Sequence, residues 1–235
     1  MVDFSHRSSE IEIMDTFSGT PDELNTILKD INRVNSLLGG YRITLNAVFK
    51  LLTLKKKKSY TILDMGCAEG SMLRKLAEEA RKRSVKVQLI GLDFNSKALA
   101  LAEGYAKEYP EIRYMQDDIL SADFSDIPID VVMTTLTLHH FDDKGVVKFV
   151  KKFNELASLG VVINDLERSP LAYYLFQAFS FFFVKTEIAK NDGLLSIRRA
   201  FKKKELRRYA DHVKSATHHI QWKWAFRYVW VLKKK

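Results

Sequence analysis

Tyr60-Thr61-Ile62-Leu63-Asp64-Met65-Gly66-Cys67-Ala68-Glu69-Gly70 is a short apolar run that ends in an acid, turns on small residues and enters a helix. The run is too short for a helix and too continuous for a strand washed by solvent on one face. It reads as a buried parallel strand of an α/β sheet. Gly66, Ala68 and Gly70 let a ligand approach the backbone closely, and the free N–H groups at the start of the next helix favour an anion such as a carboxylate. A phosphate-binding loop would need Gly-Lys-Ser/Thr, whereas Gly70 is followed by Ser71-Met72; a dinucleotide fingerprint would place its third glycine at Ser71. Both nucleotide patterns fail.

Outward from this loop the chain alternates strand and helix: strands at 60–65, 86–93, 111–116, 129–134 and 159–164, with helices at 70–83, 95–108 and 143–157. That alternation predicts a doubly wound, mostly parallel sheet. Ligands of such sheets lie beyond the carboxyl ends of the strands, and Asp64, Asp93, Asp118 and His139 all fall there. Asp93, closing Leu89-Ile90-Gly91-Leu92-Asp93, is placed to accept both hydroxyls of a ribose. The fourth strand, Ile129-Asp130-Val131-Val132-Met133-Thr134, runs into Leu136-Thr137-Leu138-His139-His140-Phe141.

The loop Asp64-x-Gly66-x-Ala68-x-Gly70, followed by Asp93, Gln116-Asp117-Asp118-Ile119 and the Leu138-His139-His140 segment, resembles the motif series of class I S-adenosylmethionine (SAM) methyltransferases, with Ala68 replacing one glycine. The likeness covers about 60–165. It is weaker toward both ends, where 164–173 and 196–201 resemble bacterial small-molecule enzymes near the ubiquinone/menaquinone methyltransferase group. The resemblance implies a seven-stranded Rossmann-like sheet with SAM as cofactor and S-adenosylhomocysteine (SAH) as product. It implies that Gly66, Ala68 and Gly70 contact the methionyl part, that Asp93 takes the ribose and Asp118 the adenine amino group, that the Ile119 N–H faces a ring nitrogen, and that Asp64 and Thr134 complete the cofactor set. The expected reaction is methyl transfer to a hydroxyl, less readily a carbon, of a small aromatic or polyketide-like acceptor. His139 or His140, titrating near neutrality, would be the base.

Before the loop, Thr20 as N-cap, Pro21 and Glu23 start a helix whose apolar residues recur at helical spacing until Gly39-Gly40; a second helix follows at about 42–54. Residues 1–58 are thus expected as an N-terminal helical cap on a core of 59–235. After the fifth strand a helical insertion, 166–195, carries the aromatic run around Tyr173, Phe176 and Phe179. With Arg199 these would form the substrate pocket. The apolar stretch 171–184 is too short to span a bilayer, which needs about 20 residues. It reads as a buried helix, a wall for a lipophilic acceptor, or a helix in a membrane interface. Residues 191–201 read as a loop leading to a helix at about 202–209. Two strands, about 213–220 and 222–232, are expected to end the chain, with Trp222, Trp224, Phe226, Tyr228 and Trp230 on one face.

The net charge of +9 is concentrated at the C-terminal end: from Ser196 onward 13 Lys/Arg stand against Glu205 and Asp211. A basic stretch could serve an RNA methyltransferase, the alternative function. Thr134-Thr135-Leu136-Thr137 lacks the Asn/Asp-Pro-Pro-aromatic motif of enzymes that methylate exocyclic amines, which argues against nucleic acid and for a small acceptor. One cysteine, Cys67, excludes an internal disulfide and suits a reducing, cytoplasmic setting, and the first residues lack a signal peptide's apolar core. His139-His140 and His218-His219 are adjacent pairs expected to point to opposite faces of strands, so no metal site is expected.

Overall fold

The computed structural model describes residues 2–235. Its strands are β1 (Tyr60–Met65), β2 (Val87–Asp93), β3 (Ile112–Gln116), β4 (Ile129–Thr135), β5 (Ala157–Leu166), β6 (Ala216–Lys223) and β7 (Arg227–Lys234), in one sheet ordered β3-β2-β1-β4-β5-β7-β6. β1 to β5 are parallel; β7 runs antiparallel to β5 and β6. The winding direction reverses between β1 and β4, which opens a crevice at the carboxyl ends of the strands. Leu63, Val131, Val132 and Val161 are fully buried, as a sheet covered on both faces requires.

The described residues form eight α-helices: α1 (Pro21–Leu37), α2 (Gly40–Leu52), α3 (Ser71–Lys82), α4 (Ser96–Tyr105), α5 (Asp143–Leu156), α6 (Pro170–Phe183), α7 (Glu187–Arg199) and α8 (Lys203–Ala210). α1 begins on a capping box, with Glu23 N–H donating to Thr20 Oγ1 (3.3 Å) and Thr20 N–H to Glu23 Oε2 (2.8 Å). α3 buries Met72, Leu73, Leu76, Ala77 and Ala80 on one face and ends on Arg81 and Lys82, which favour the negative end of the helix dipole. α2 shares a core with the sheet: Val48, Phe49, Leu51 and Leu52 pack with Ile62, Leu76, Leu89 and Val131. Asn164 on β5 pins this helix by donating Nδ2–H to Gly40 O (3.0 Å) and Thr44 Oγ1 (2.9 Å).

Two expectations are corrected. Residues 191–199 are helical, not a loop. Asn191-Asp192-Gly193 has turn chemistry, but Gly193 lies against the Phe176 ring, where a Cβ would come within 2.4 Å, and Asp192 is drawn into bonds with the N-terminal segment; packing overrides the local signal. The terminal strands lie at 216–223 and 227–234, and the five aromatics do not share one strand face. Trp222 on β6 faces Tyr228 on β7, and Trp224 and Phe226 belong to the three-residue hairpin turn between them. That turn contains no Gly, Pro or Asn, so the period-two pattern ran straight through it.

Candidate active site

Beyond β1 the chain turns tightly enough that Gly66 N–H and Cys67 N–H both donate to Leu92 O (2.8 and 3.0 Å), and Gly70 N–H donates to Cys67 O (2.9 Å). Gly66 (φ +77°) and Gly70 (φ +75°) are left-handed. A Cβ at Gly66 would come within 2.6 Å of Thr137 Cγ2, and one at Gly70 within 2.2 Å of Tyr114 Oη, so neither position tolerates a side chain. Ala68 is also left-handed (φ +47°), at a cost of about 1–2 kcal/mol. Its N–H donates to Asp93 Oδ2 (2.8 Å), while Asp93 Oδ1 accepts from Asn95 N–H (2.9 Å).

The crevice over β1 and β2 is acidic. Asp64 is buried, and desolvation, then the charges of Asp93 and Glu69, push its pKa up to about 8. Its Oδ1 has no hydrogen-bond partner among the described residues. Burial also raises Asp93 against the backbone bonds that lower it. Glu69 accepts from Asn32 Nδ2 (2.7 Å) and pairs with Arg74. An orphaned carboxylate oxygen beside two further acids fits a ligand with an ammonium and a sulfonium, which is what SAM presents. Asp118, exposed, and Ile119, buried, lie past β3 on the same cavity wall.

Across the crevice, Leu138–His140 forms a 3₁₀ turn after β4. His139 is 2% exposed, and its Nδ1 lies 2.7 Å from Asp165 Oδ1 at the end of β5. Its Nε2 faces Glu12 Oε1 at 3.3 Å, outside hydrogen-bond geometry. Burial alone would lower its pKa, but the charge and hydrogen bond of Asp165, with the charge of Glu12, push it up to about 10. Glu12 is buried yet held below the usual carboxylate range by His139. His140 packs on His139 (ring centroids 4.4 Å apart) and places Nδ1 2.9 Å from Asp15 Oδ1. His140 Nε2 also lies 3.8 Å from Glu12 Oε2, so both rings face the Glu12 carboxylate, correcting the expectation of opposite faces: in a 3₁₀ turn, unlike a strand, neighbours do not alternate. Ligand atoms of Glu12, His139 and His140 lie within 4.8 Å of one another, close enough to hold a metal ion.

Glu12 and Asp15 belong to an N-terminal segment laid across the cavity. Asp192 accepts from Ile13 N–H and Met14 N–H (2.9 Å each), Ser196 Oγ donates to Glu12 (3.0 Å), and Arg7 donates to the carbonyls of His139, Phe141 and Arg199. One cavity of about 890 Å³ runs from Asp93 and Asp118, past His139 and His140, to Phe176, Phe179 and Trp224. It is near the upper end of the range for small-molecule sites.

Of the residues singled out from sequence, Asp64, Gly66, Ala68, Asp93, Asp118, Ile119, His139, His140, Phe176 and Phe179 line this cavity. Four do not. Gly70 packs under Tyr114, and Thr134 turns inward to donate to Met65 O (2.8 Å). Tyr173 lies edge-on to Phe4 (5.5 Å), and Arg199 donates to the carbonyls of Glu10, His139 and His140, a brace for the histidine turn. Glu12, Asp15, Asp165 and Asp192 were missed. Only Asp165 carried a signal, as an acid at the end of a strand.

Residues 62–160 match the model of a methyltransferase domain family. Over 72 residues, 31% of this chain, the sequence is 32% identical to the 2-phytyl-1,4-naphtoquinone methyltransferase of Thermosynechococcus vestitus; the match spans about a third (31%) of that protein's length. Among solved structures, the plantazolicin methyltransferase BpumL in complex with SAH superposes with a TM-score of 0.71 at 15% identity over 92% of both chains. The SAH-bound magnesium protoporphyrin IX methyltransferase of Synechocystis PCC 6803 does so with 0.57 at 17%, over 83% of this chain and 84% of that one. The fold is that of class I, SAM-dependent methyltransferases.

Proposed function

We propose that this chain transfers the methyl group of SAM to a hydroxyl of a small aromatic or polyketide-like acceptor. The observation that carries the reading is His139: its Nδ1 is fixed by Asp165, and its Nε2 lacks a hydrogen-bonded partner where the cavity wall turns aromatic. Asp64, the 66–69 turn, Asp93, Asp118 and Ile119 would hold SAM, which supplies an electrophilic methyl. The chain's part is alignment, worth about 7–11 kcal/mol, and proton removal. With His139 in its neutral form, the acceptor O–H bond breaks with its proton leaving to the Nε2 lone pair, an O–C bond forms as the S–C bond breaks, and SAH departs. Raised to about 10, His139 matches a phenol, whose pKa is also about 10. Because the proposed step needs only a positioned base and the electrophilic methyl of SAM, we propose that no metal is required. The cavity walls carry no lysine among the described residues, and nothing there favours the RNA alternative.

The solvent side of α6 supports a lipophilic acceptor drawn from a lipid surface. No helix is long and apolar enough to cross a membrane. Yet Leu171, Tyr174, Leu175, Phe181 and Phe182 are exposed along this helix, the last two at 76%, while Phe176 and Phe179 on its other side line the cavity. Asp30 on α1 accepts from Lys185 N–H and Thr186 N–H, which sets exposed Lys29 and Arg33 beside Lys185 at the end of the aromatic face. Apolar side chains flanked by cations suit an anionic bilayer surface. The methyl-transfer reading is tested by incubating the protein with SAM and a panel of alkylphenols and hydroxynaphthoquinones, measuring SAH and locating the new O–CH₃ by NMR. Turnover confined to RNA would reverse it.

A further inference from the structure

We propose that Arg227 anchors a carboxylate carried by the acceptor, so that the substrate class is a lipophilic or aromatic hydroxy acid. The side chain is 1% exposed, yet its Nε and Nη1 have no hydrogen-bond partner and no carboxylate lies within ion-pair distance among the described residues. The other two buried arginines among the described residues find partners. Arg168 pairs with Glu205 and donates to the carbonyls of Phe4 and Ala200, and Arg199 donates to three carbonyls. A lone buried charge is destabilising unless something completes it, and burial lowers Arg227 only to about 10, so it stays cationic at neutral pH.

Its place in the fold says what completes it. Arg227 opens β7 opposite Leu166 at the carboxyl end of β5, and it lines the cavity next to Trp224, Ala225 and Phe226. Its guanidinium packs on Gly40, where an added Cβ would come within 3.0 Å of Cζ, and the neighbouring Asn35 Oδ1 is also buried without a partner. Asp165, the carboxylate whose field Arg227 feels, is committed to His139 and to Leu166 N–H. Asp64, Asp93 and Asp118 sit at the ends of β1, β2 and β3, whereas β7 lies three strand steps from β1, about 14 Å at the usual spacing. Arg227 is therefore on the acceptor's side. Its planar fork matches a carboxylate bidentately, and the apolar walls beside it suit an aromatic or alkyl skeleton. A hydroxyl at His139 and a carboxylate at Arg227 would hold such a molecule at two points. The anchor rests on the methyl-transfer reading only in taking this half of the cavity for the acceptor.

The test needs no turnover. Naphthoate and its neutral isostere naphthamide are titrated calorimetrically into the SAH-loaded wild-type protein and into Arg227→Met, with thermal melts of each. Wild type should bind naphthoate about tenfold or more tighter than naphthamide, the range expected of a charge-assisted hydrogen-bonded pair. R227M should lose that preference, keep its affinity for SAH and melt no lower than wild type. R227K, which keeps the charge but not the fork, should show a reduced preference, and it serves if R227M does not fold. Equal binding of the two ligands by wild type, or no naphthoate binding at millimolar concentration, would overturn the proposal. So would an R227M that loses SAH but keeps the preference, since the guanidinium would then serve SAM's own carboxylate. A protein that binds naphthoate through Arg227 but methylates no phenol would refute the proposed reaction and leave the anchor standing.

Discussion

His139 Nδ1 lies 2.7 Å from Asp165 Oδ1, with both side chains at most 3% exposed. The partners come from the turn after β4 and the end of β5, neighbouring strands that bring residues 26 apart in sequence to hydrogen-bonding distance. Because His139 is raised from 6.5 to about 10, the pair stabilises the fold fully below about pH 6.5, and that contribution is lost as pH rises through about 10.

Catalysis runs the other way. The His139–acceptor pair must shed one proton, so kcat/KM should rise tenfold per pH unit toward about pH 10. Asp165→Asn removes the carboxylate that raises His139. It should lower the plateau by about 10²–10⁴ and move the rising limb to lower pH. A pH–rate profile for both proteins checks this, and an unmoved limb would place the base elsewhere.

Asp64 should release a proton when SAM binds. Burial and the charges of Asp93 and Glu69 hold it protonated to about pH 8, and a cationic ligand beside the orphaned Oδ1 favours the carboxylate. Calorimetry near pH 7.5 in buffers of different ionisation enthalpy should show proton release that Asp64→Asn abolishes. In the free protein a raised carboxyl has the opposite sign to an ion-paired one. Its contribution to stability declines as pH climbs from about 4 to about 8, so D64N should flatten that part of the stability curve.

Asp192→Ala should uncouple the two halves of the site. It removes the acceptor for Ile13 N–H and Met14 N–H and frees the segment that carries Glu12 and Asp15, without touching the loop after β1. Turnover should fall at least about tenfold while SAH affinity changes by less than about twofold. Equal losses in both would mean that the segment serves the cofactor.

Exhaustive dialysis against EDTA should leave turnover unchanged, because the proposed transfer uses His139 as its base and needs no metal. Loss of activity restored by a divalent ion would turn Glu12, His139 and His140 into a metal site.

Flotation with vesicles should capture the protein when they contain anionic lipid and release it at high salt. Phe181→Ser with Phe182→Ser should abolish capture without lowering the melting temperature, because both rings already face solvent. Unchanged capture would remove α6 from the contact.

The parallel sheet and the tight turn after β1 were legible because local chemistry dictates them. Apolar runs of strand length, the Thr20-x-x-Glu23 cap and small residues at 66, 68 and 70 specify conformation within a few neighbours. Even Ala68 in a glycine position was readable, and the structure shows its left-handed φ and its bond to Asp93.

Thr134 marks where such reading ends: its strand was found, but the direction of one hydroxyl depends on β1 beside it. Residues 191–199 are helical because Phe176 and the N-terminal segment need them to be, against their own turn chemistry. Sequence alone determined the alternation of strands and helices up to β5 and the tight turn after β1, since each depends on contacts between near neighbours. Only the tertiary structure decided that Glu12 and Asp15 cross the cavity to His139 and His140, that Asp165 stands behind His139, and that Arg227 is left without a partner. Those facts depend on which distant segments pack together, and on what remains unsatisfied once they have.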